Sequence, residues 1–203
     1  MPDPSVDRSD PAREDRHRDF VSALERQLAG GRSFGEITVR QLADEVGLSR
    51  TGFYFYFDHT RDVLLAAATG IANDLYEAAD VWLGHDDAGF DQLTAALGRI
   101  AEGYRRHGPV LRAVCEAAAY DDQLREGWRR LIGRFIVATR RRLAGSSPDH
   151  SRELRAAALV WMTERTLLEH VAVDGDDPAP VAAALADVWW AALGAHIAQP
   201  RSK

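Results

Sequence analysis

Between Ser49 and Phe57 the chain sets one guanidinium (Arg50), the hydroxyls of Thr51, Tyr54 and Tyr56, and a bare position at Gly52, with no carboxylate among them. With no carboxylate or histidine among them to activate a hydroxyl, these groups point to binding rather than bond breaking. They hydrogen-bond to acceptor-rich surfaces such as base edges and phosphates, and Thr51 and Gly52 are small enough to permit close approach. A helix has to carry them outward together, with Phe53 and Phe57, four residues apart, anchoring its other side in a core. The residues before it supply the support. Thr38 is a good N-cap, and Val39, Leu42, Ala43 and Val46 follow at the i, i+3, i+4, i+7 spacing of one apolar face. Gly47 can take the left-handed conformation that ends a helix, Leu48 plugs the corner, and Ser49 can cap the second helix. Residues 38–57 therefore read as a helix-turn-helix, although an ordinary corner in a helical core would share the spacing.

Charge limits what that face can do. The chain carries a net charge of −6, and carboxylates outnumber arginines within residues 1–65 as well. Attraction to a polyanion scales with the phosphates neutralised, so any positive footprint is local: Arg40, Arg50 and Arg61, with Arg13, Arg16 and Arg18 on the preceding helix. The single cysteine, Cys115, excludes an internal disulfide and a multi-cysteine zinc site, and suits a reducing cytoplasm. On an alanine-rich helix it reads as a small apolar filler rather than a nucleophile. No stretch approaches a membrane span, and the acidic, proline-bearing N-terminus lacks the apolar core of a signal peptide. GxSxG, HExxH, a phosphate-cradling glycine loop and a di-iron repeat are all missing, so no catalytic residue, metal or cofactor is expected. His85-Asp86-Asp87 and Glu169-His170 are the nearest approaches to a reactive cluster.

The pattern along the chain is helical throughout, which makes the fold all-α, with about nine helices and no sheet. A disordered tail is expected over 1–11, a helix-turn-helix domain over 12–59, and a larger ligand-binding and dimerisation domain over 60–203. The first helix, 12–29, turns Phe20, Leu24 and Leu28 inward and stops at Gly30-Gly31. A long helix over 60–83 carries Val63, Leu64, Ala67, Ile71, Leu75 and Val81 as its stripe, and further helices are expected at 89–106, 109–119, 121–144, 151–173 and 179–198. Residues 156–162 and 179–198 are apolar nearly all round. Such helices need cover on every side, either from a second copy of the same pair in a homodimer or from a monomer core.

In the larger domain Trp128, Ile132, Phe135 and Thr139 share one helical face, and Val160, Thr163, Glu164 and Leu167 share another. Two apolar faces with a few polar groups can enclose a ligand, or can be packed core stripes.

The order of capped helix, Gly-Leu-Ser turn, Arg-Thr-Gly and Phe-Tyr-Phe-Tyr-Phe, from Phe34 to about Leu65, resembles the N-terminal domain of the TetR family of transcriptional regulators. The aromatic run and the segment Met162 to Leu167 are similar to its ethionamide-resistance repressor branch. That resemblance implies a homodimeric repressor, paired through its last two helices, that binds double-stranded operator DNA and is released by a small hydrophobic effector. The rival reading is a small-molecule-binding protein or enzyme using the C-terminal cavity. The resemblance places Arg50 at a guanine edge or phosphate, Thr51 and Gly52 close to bases, and Tyr54 and Tyr56 on phosphates or a thymine methyl. Thr38 and Ser49 would serve phosphates, with Arg40 adding charge beside them. Many relatives carry a phosphate-binding lysine where this chain has Thr60, which leaves Arg61 or His59 to replace it. The same resemblance makes the two apolar faces, together with Ile100, Tyr104 and Trp189, the walls of a narrow tunnel. Val160 and Thr163 stand where that branch offers asparagines, and Phe135 where it offers tryptophan. The expected ligand is elongated and mostly apolar, with only Thr139, Thr163 and Glu164 to hydrogen-bond it.

Overall fold

The computed structural model describes residues 11–85, 88–143 and 149–194. Among them are eight α-helices and no strand: α1 (Pro11–Ala29), α2 (Val39–Glu45), α3 (Arg50–Phe53), α4 (Thr60–Leu83), α5 (Phe90–Ala117), α6 (Asp122–Arg142), α7 (Asp149–Thr166) and α8 (Pro178–Gly194). A 3-10 turn (Phe34–Glu36) precedes α2, and a π-helical turn (Leu167–Val173) follows α7. Apart from Pro11, the expected N-terminal tail lies outside the described residues. The chain divides into two compact units between Ala67 and Ala68, so α4 contributes to both.

The first unit is built around Phe20. Its ring meets Phe53 edge-on at 5.1 Å and Phe57 at 5.8 Å, which ties α1 to the aromatic run behind α3. Leu24 and Leu28 are buried on the same face of α1, as the periodicity predicts. Arg26 and Gln27 reach across to the two oxygens of Glu45, each at 2.8 Å, and fasten α1 to the end of α2. Burial works against charge on Glu45, but those two hydrogen bonds outweigh it and hold the carboxyl below its ordinary range.

The second unit packs α5 against α8, α6 and the π-helical turn. The helices expected at 89–106 and 109–119 run together as α5, with the break reduced to a kink at His107 (φ −108, ψ 16). Pro109 removes one rung of the hydrogen-bond ladder, and the bend takes up its ring. At Gly103 the helix comes so close to α4 that a Cβ would lie 2.4 Å from Leu75 Cδ2.

Two further departures matter for the cavity. The helix expected over 151–173 changes to π geometry at Leu167; Asp174 N–H bonds back five residues to Glu169 O at 2.9 Å, and Arg112 Nη1 donates to Ala172 O at 3.0 Å. On α4, Val81 faces solvent and its neighbour Trp82 is buried, so the inward stripe continues through Leu75, Ala79 and Trp82. In α8, Ala182, Leu185, Ala186 and Trp189 are buried, whereas Ala183, Ala184, Val188 and Ala191 form a bare outer face. Among the described residues nothing covers that face, on which Asp187 is the one charged residue. No helix among the described residues is long and apolar enough to cross a membrane.

Candidate functional site

Local chemistry fixes the turn between α2 and α3. Thr38 Oγ1 accepts from Gln41 N–H at 3.3 Å while Thr38 N–H donates to Gln41 Oε1 at 2.8 Å, a reciprocal cap on α2. At the other end Gly47 adopts φ +72, Gly47 N–H bonds Asp44 O at 3.2 Å and Leu48 N–H bonds Ala43 O at 2.8 Å. That is a Schellman closure, which needs a residue at ease in the left-handed region. Ser49 Oγ then accepts from Gly52 N–H at 3.1 Å and starts α3.

The outward face is shorter than the sequence pattern suggests. After its single turn α3 gives way to a hydrogen-bonded turn at Tyr54–Tyr56, so the aromatic run does not keep a helical phase. Thr38, Arg40, Ser49, Arg50, Thr51, Tyr54 and His59 are exposed; Gly52, Thr60 and Arg61 are half-buried. Arg50 Nη2 reaches Tyr54 Oη at 3.5 Å, and Arg40 lies 3.5 Å from Asp44. Tyr56 is half-buried against Phe20 (5.9 Å) and His17 (6.0 Å), and Phe55, which the pattern did not single out, is 74% exposed in its place. Behind the turn, Arg61 Nη2 stands 3.3 Å from His59 Nδ1, and His59 N–H donates to Asp62 Oδ2 at 2.8 Å. On α1, Arg16 pairs with Asp19 at 3.2 Å and Arg18 with Asp15, which weakens their contribution to a positive patch.

The second unit encloses a cavity of about 70 Å³, room for several water-sized molecules. All eleven residues singled out from the sequence line it: Ile100 and Tyr104 from α5; Trp128, Ile132, Phe135 and Thr139 from α6; Val160, Thr163 and Glu164 from α7; Leu167 from the π-helical turn; and Trp189 from α8. The sequence reading missed the α4 wall, made by Ala72, Leu75, Ala79, Trp82 and Leu83, and the α5 residues Leu93, Ala96 and Leu97.

The polar groups on this wall are not equivalent. Thr163 is spent internally, its hydroxyl donating to Leu159 O at 2.9 Å and accepting from Trp189 Nε1 at 2.8 Å. Thr139 Oγ1 and Trp82 Nε1 are buried with no hydrogen-bond partner. Glu164 accepts from the Cys115 thiol at 3.6 Å and forms no ion pair among the described residues, while the adjacent Arg165 pairs with Glu169 at 2.8 Å. Burial pushes the Glu164 carboxyl above the usual carboxylate range, against the opposing pull of Cys115, Arg165 and Trp128. Burial, then the Glu164 charge, pushes the half-buried Cys115 thiol up to about 12, which makes it a poor nucleophile. Burial likewise raises the Tyr104 phenol well above its ordinary value, with Glu164 and Cys115 adding to the effect. On the surface, His170 gathers with Asp174 and Asp176, all exposed, and its Nδ1 lies 3.0 Å from Asp176 Oδ2.

Residues 93–194 match the family described as transcriptional regulator EthR, C-terminal domain. The HTH-type transcriptional regulator EthR of Mycolicibacterium smegmatis is 30% identical over 199 residues, which span 88% of this chain and 86% of that relative. The chain belongs to the EthR group of TetR-family regulators. EthR of Mycobacterium tuberculosis is also 30% identical, over 178 residues that span 83% of this chain and 80% of its own. In three dimensions, a TetR-family transcriptional regulator from Streptomyces coelicolor superposes with a TM-score of 0.73 at 20% identity, over 91% of this chain and 83% of that one. That likeness speaks for the fold. The match to the C-terminal-domain family takes in every cavity wall except α4, so Trp82 lies outside that match. Membership of this group makes the chain a DNA-binding transcriptional regulator, and the relatives are regulators rather than enzymes.

Proposed function

We propose that the chain is a cytoplasmic homodimeric repressor, which holds operator DNA through the outer face of α3 and the turn behind it, and lets go when a small hydrophobic effector fills the cavity. In this reading Arg50 makes the main base or phosphate contact, with Thr51, Tyr54 and the exposed Phe55 beside it and Thr38 and Ser49 at the phosphates. His59, exposed next to the half-buried Arg61, takes over the phosphate contact that many relatives make with a lysine at the position of Thr60. The bare face of α8 around Val188 takes the partner subunit, because two readers must be linked to span half-sites roughly 34–36 Å apart or a multiple of that.

The observation that carries the effector reading is the cavity on which all eleven expected residues converge. Its α4 wall belongs to the same helix that begins at Thr60, immediately behind the aromatic run. An effector displaces DNA only through its preference for the released state, and a tenfold loss of operator affinity needs about 1.4 kcal/mol of that preference. The test is footprinting of the DNA flanking the gene, repeated with lipophilic compounds that raise the thermal midpoint. A protected palindromic site that is lost with such compounds is the expected result. An absence of protection overturns the DNA role, and compounds that stabilise the protein without displacing DNA overturn the coupling.

A further inference from the structure

If the cavity is an effector site, as proposed above, its unpartnered polar atoms describe the effector's polar group and where that group lies. Trp82 and Thr139 are 3% and 1% exposed, both line the cavity, and neither the indole N–H nor the hydroxyl has a hydrogen-bond partner. Buried polar atoms are normally paired, and a pair left open on a cavity wall marks a place that is completed by something else. The other polar groups differ: Thr163 and Trp189 satisfy each other, and Glu164 has the Cys115 thiol.

The two open atoms belong to one end of the cavity. The Arg142 guanidinium lies 4.6 Å from the centre of the Trp82 ring, and Thr139 sits three residues before Arg142 on α6, on the adjoining surface of that helix. Trp128, whose indole reaches Glu164, lies toward the other end of α6, about 16 Å from Thr139 along the helix axis. The wall therefore carries a carboxyl and a phenol toward one end and an indole N–H and a hydroxyl toward the other, with the mutually satisfied Thr163–Trp189 pair between them, the Trp189 ring edge-on to Trp82 at 5.7 Å.

We propose that the Trp82–Thr139 end receives an acceptor oxygen, of the carbonyl type, on an otherwise apolar elongated effector. An indole nitrogen only donates, so its partner has to accept, and the Thr139 hydroxyl is free to donate as well. A cationic head is disfavoured there because the Arg142 guanidinium stands on the Trp82 ring. The carbonyl oxygen can belong to an uncharged ketone or ester, or to a carboxylate. The shared feature is the oxygen that takes the two hydrogens.

Three probes of one length separate the possibilities: hexyl methyl ketone, octanoate and octane, each titrated calorimetrically into the full-length protein and into Thr139→Val and Trp82→Phe. Both variants should lower the affinity for the ketone, or for octanoate, or for both, by about five- to tenfold, and leave that for octane unchanged. Which oxygen compound responds identifies the source. Because the Thr139 hydroxyl has no partner to lose, Thr139→Val should also leave the thermal midpoint of the free protein unchanged, which separates anchoring from structural support. Equal changes for octane and the oxygen compounds, or none, overturn the anchor while the cavity stands. No binding by any probe to the wild type overturns the anchor and the cavity reading together.

Discussion

Two threonines on one cavity wall offer a matched experiment, since the same isosteric substitution should be costly at one and neutral at the other. Thr163 holds the Trp189 indole at 2.8 Å and itself donates to Leu159 O at 2.9 Å. Thr163→Val keeps the shape and strands the Trp189 N–H, in a place where both side chains are less than a tenth exposed. A buried donor left without its acceptor costs about 1 to 3 kcal/mol. For a protein of this size that corresponds to a drop in thermal midpoint of about 2 to 12 °C. Thr139→Val removes a hydroxyl that has no partner, so it should cost nothing and can gain a little by relieving an unsatisfied group. Differential scanning calorimetry of both variants and the wild type, at one protein concentration and without added ligand, decides the matter. Equal midpoints for the two variants, or a larger loss at Thr139, would show that the hydrogen-bond assignments on this wall are wrong.

Arg50→Ala should weaken operator binding by about 1 to 3 kcal/mol at fixed salt, read by mobility shift, with an unchanged thermal midpoint because the side chain is exposed. Val188→Glu should convert the dimer to monomers in light scattering and abolish operator retardation together; a dimer that persists moves the interface elsewhere. Glu164→Gln tests the buried carboxyl through pH. Burial raises the folded-state value above 4.5, so the folded protein holds the extra proton and the wild type loses stability as the pH climbs through that window. The stability advantage of the glutamine variant should therefore be least in acid and widen from about pH 4.5 upward, and a constant offset across the range would count against the assignment.

The parts of this structure that were legible in the sequence are those whose cause is local. Thr38, Gly47 and Ser49 form caps and a left-handed stop with partners no more than five residues away, so the turn before α3 can be read from the letters. The α6 and α7 faces of the cavity are legible because each is a periodic stripe on one helix, although periodicity alone does not tell a cavity wall from a packed core. Features set by distant partners were not legible. Whether Val81 or Trp82 turns inward depends on the phase that α4 has accumulated over its length, and both are apolar. Gly108-Pro109 reads as a chain break, yet α5 runs through it with only a kink at His107, and Gly108 sits so close to Ala172 that a Cβ would lie 3.4 Å from it.

The same Ala172 gives its carbonyl to Arg112, sixty residues earlier in the chain, inside the π-helical turn that no local signal announces. Thr139 and Thr163 make the point most sharply, because in the sequence they are the same residue type on equivalent apolar stripes. Only the third helix, α8, which brings Trp189 to one and nothing to the other, turns Thr163 into a structural strut and leaves Thr139 open to a ligand.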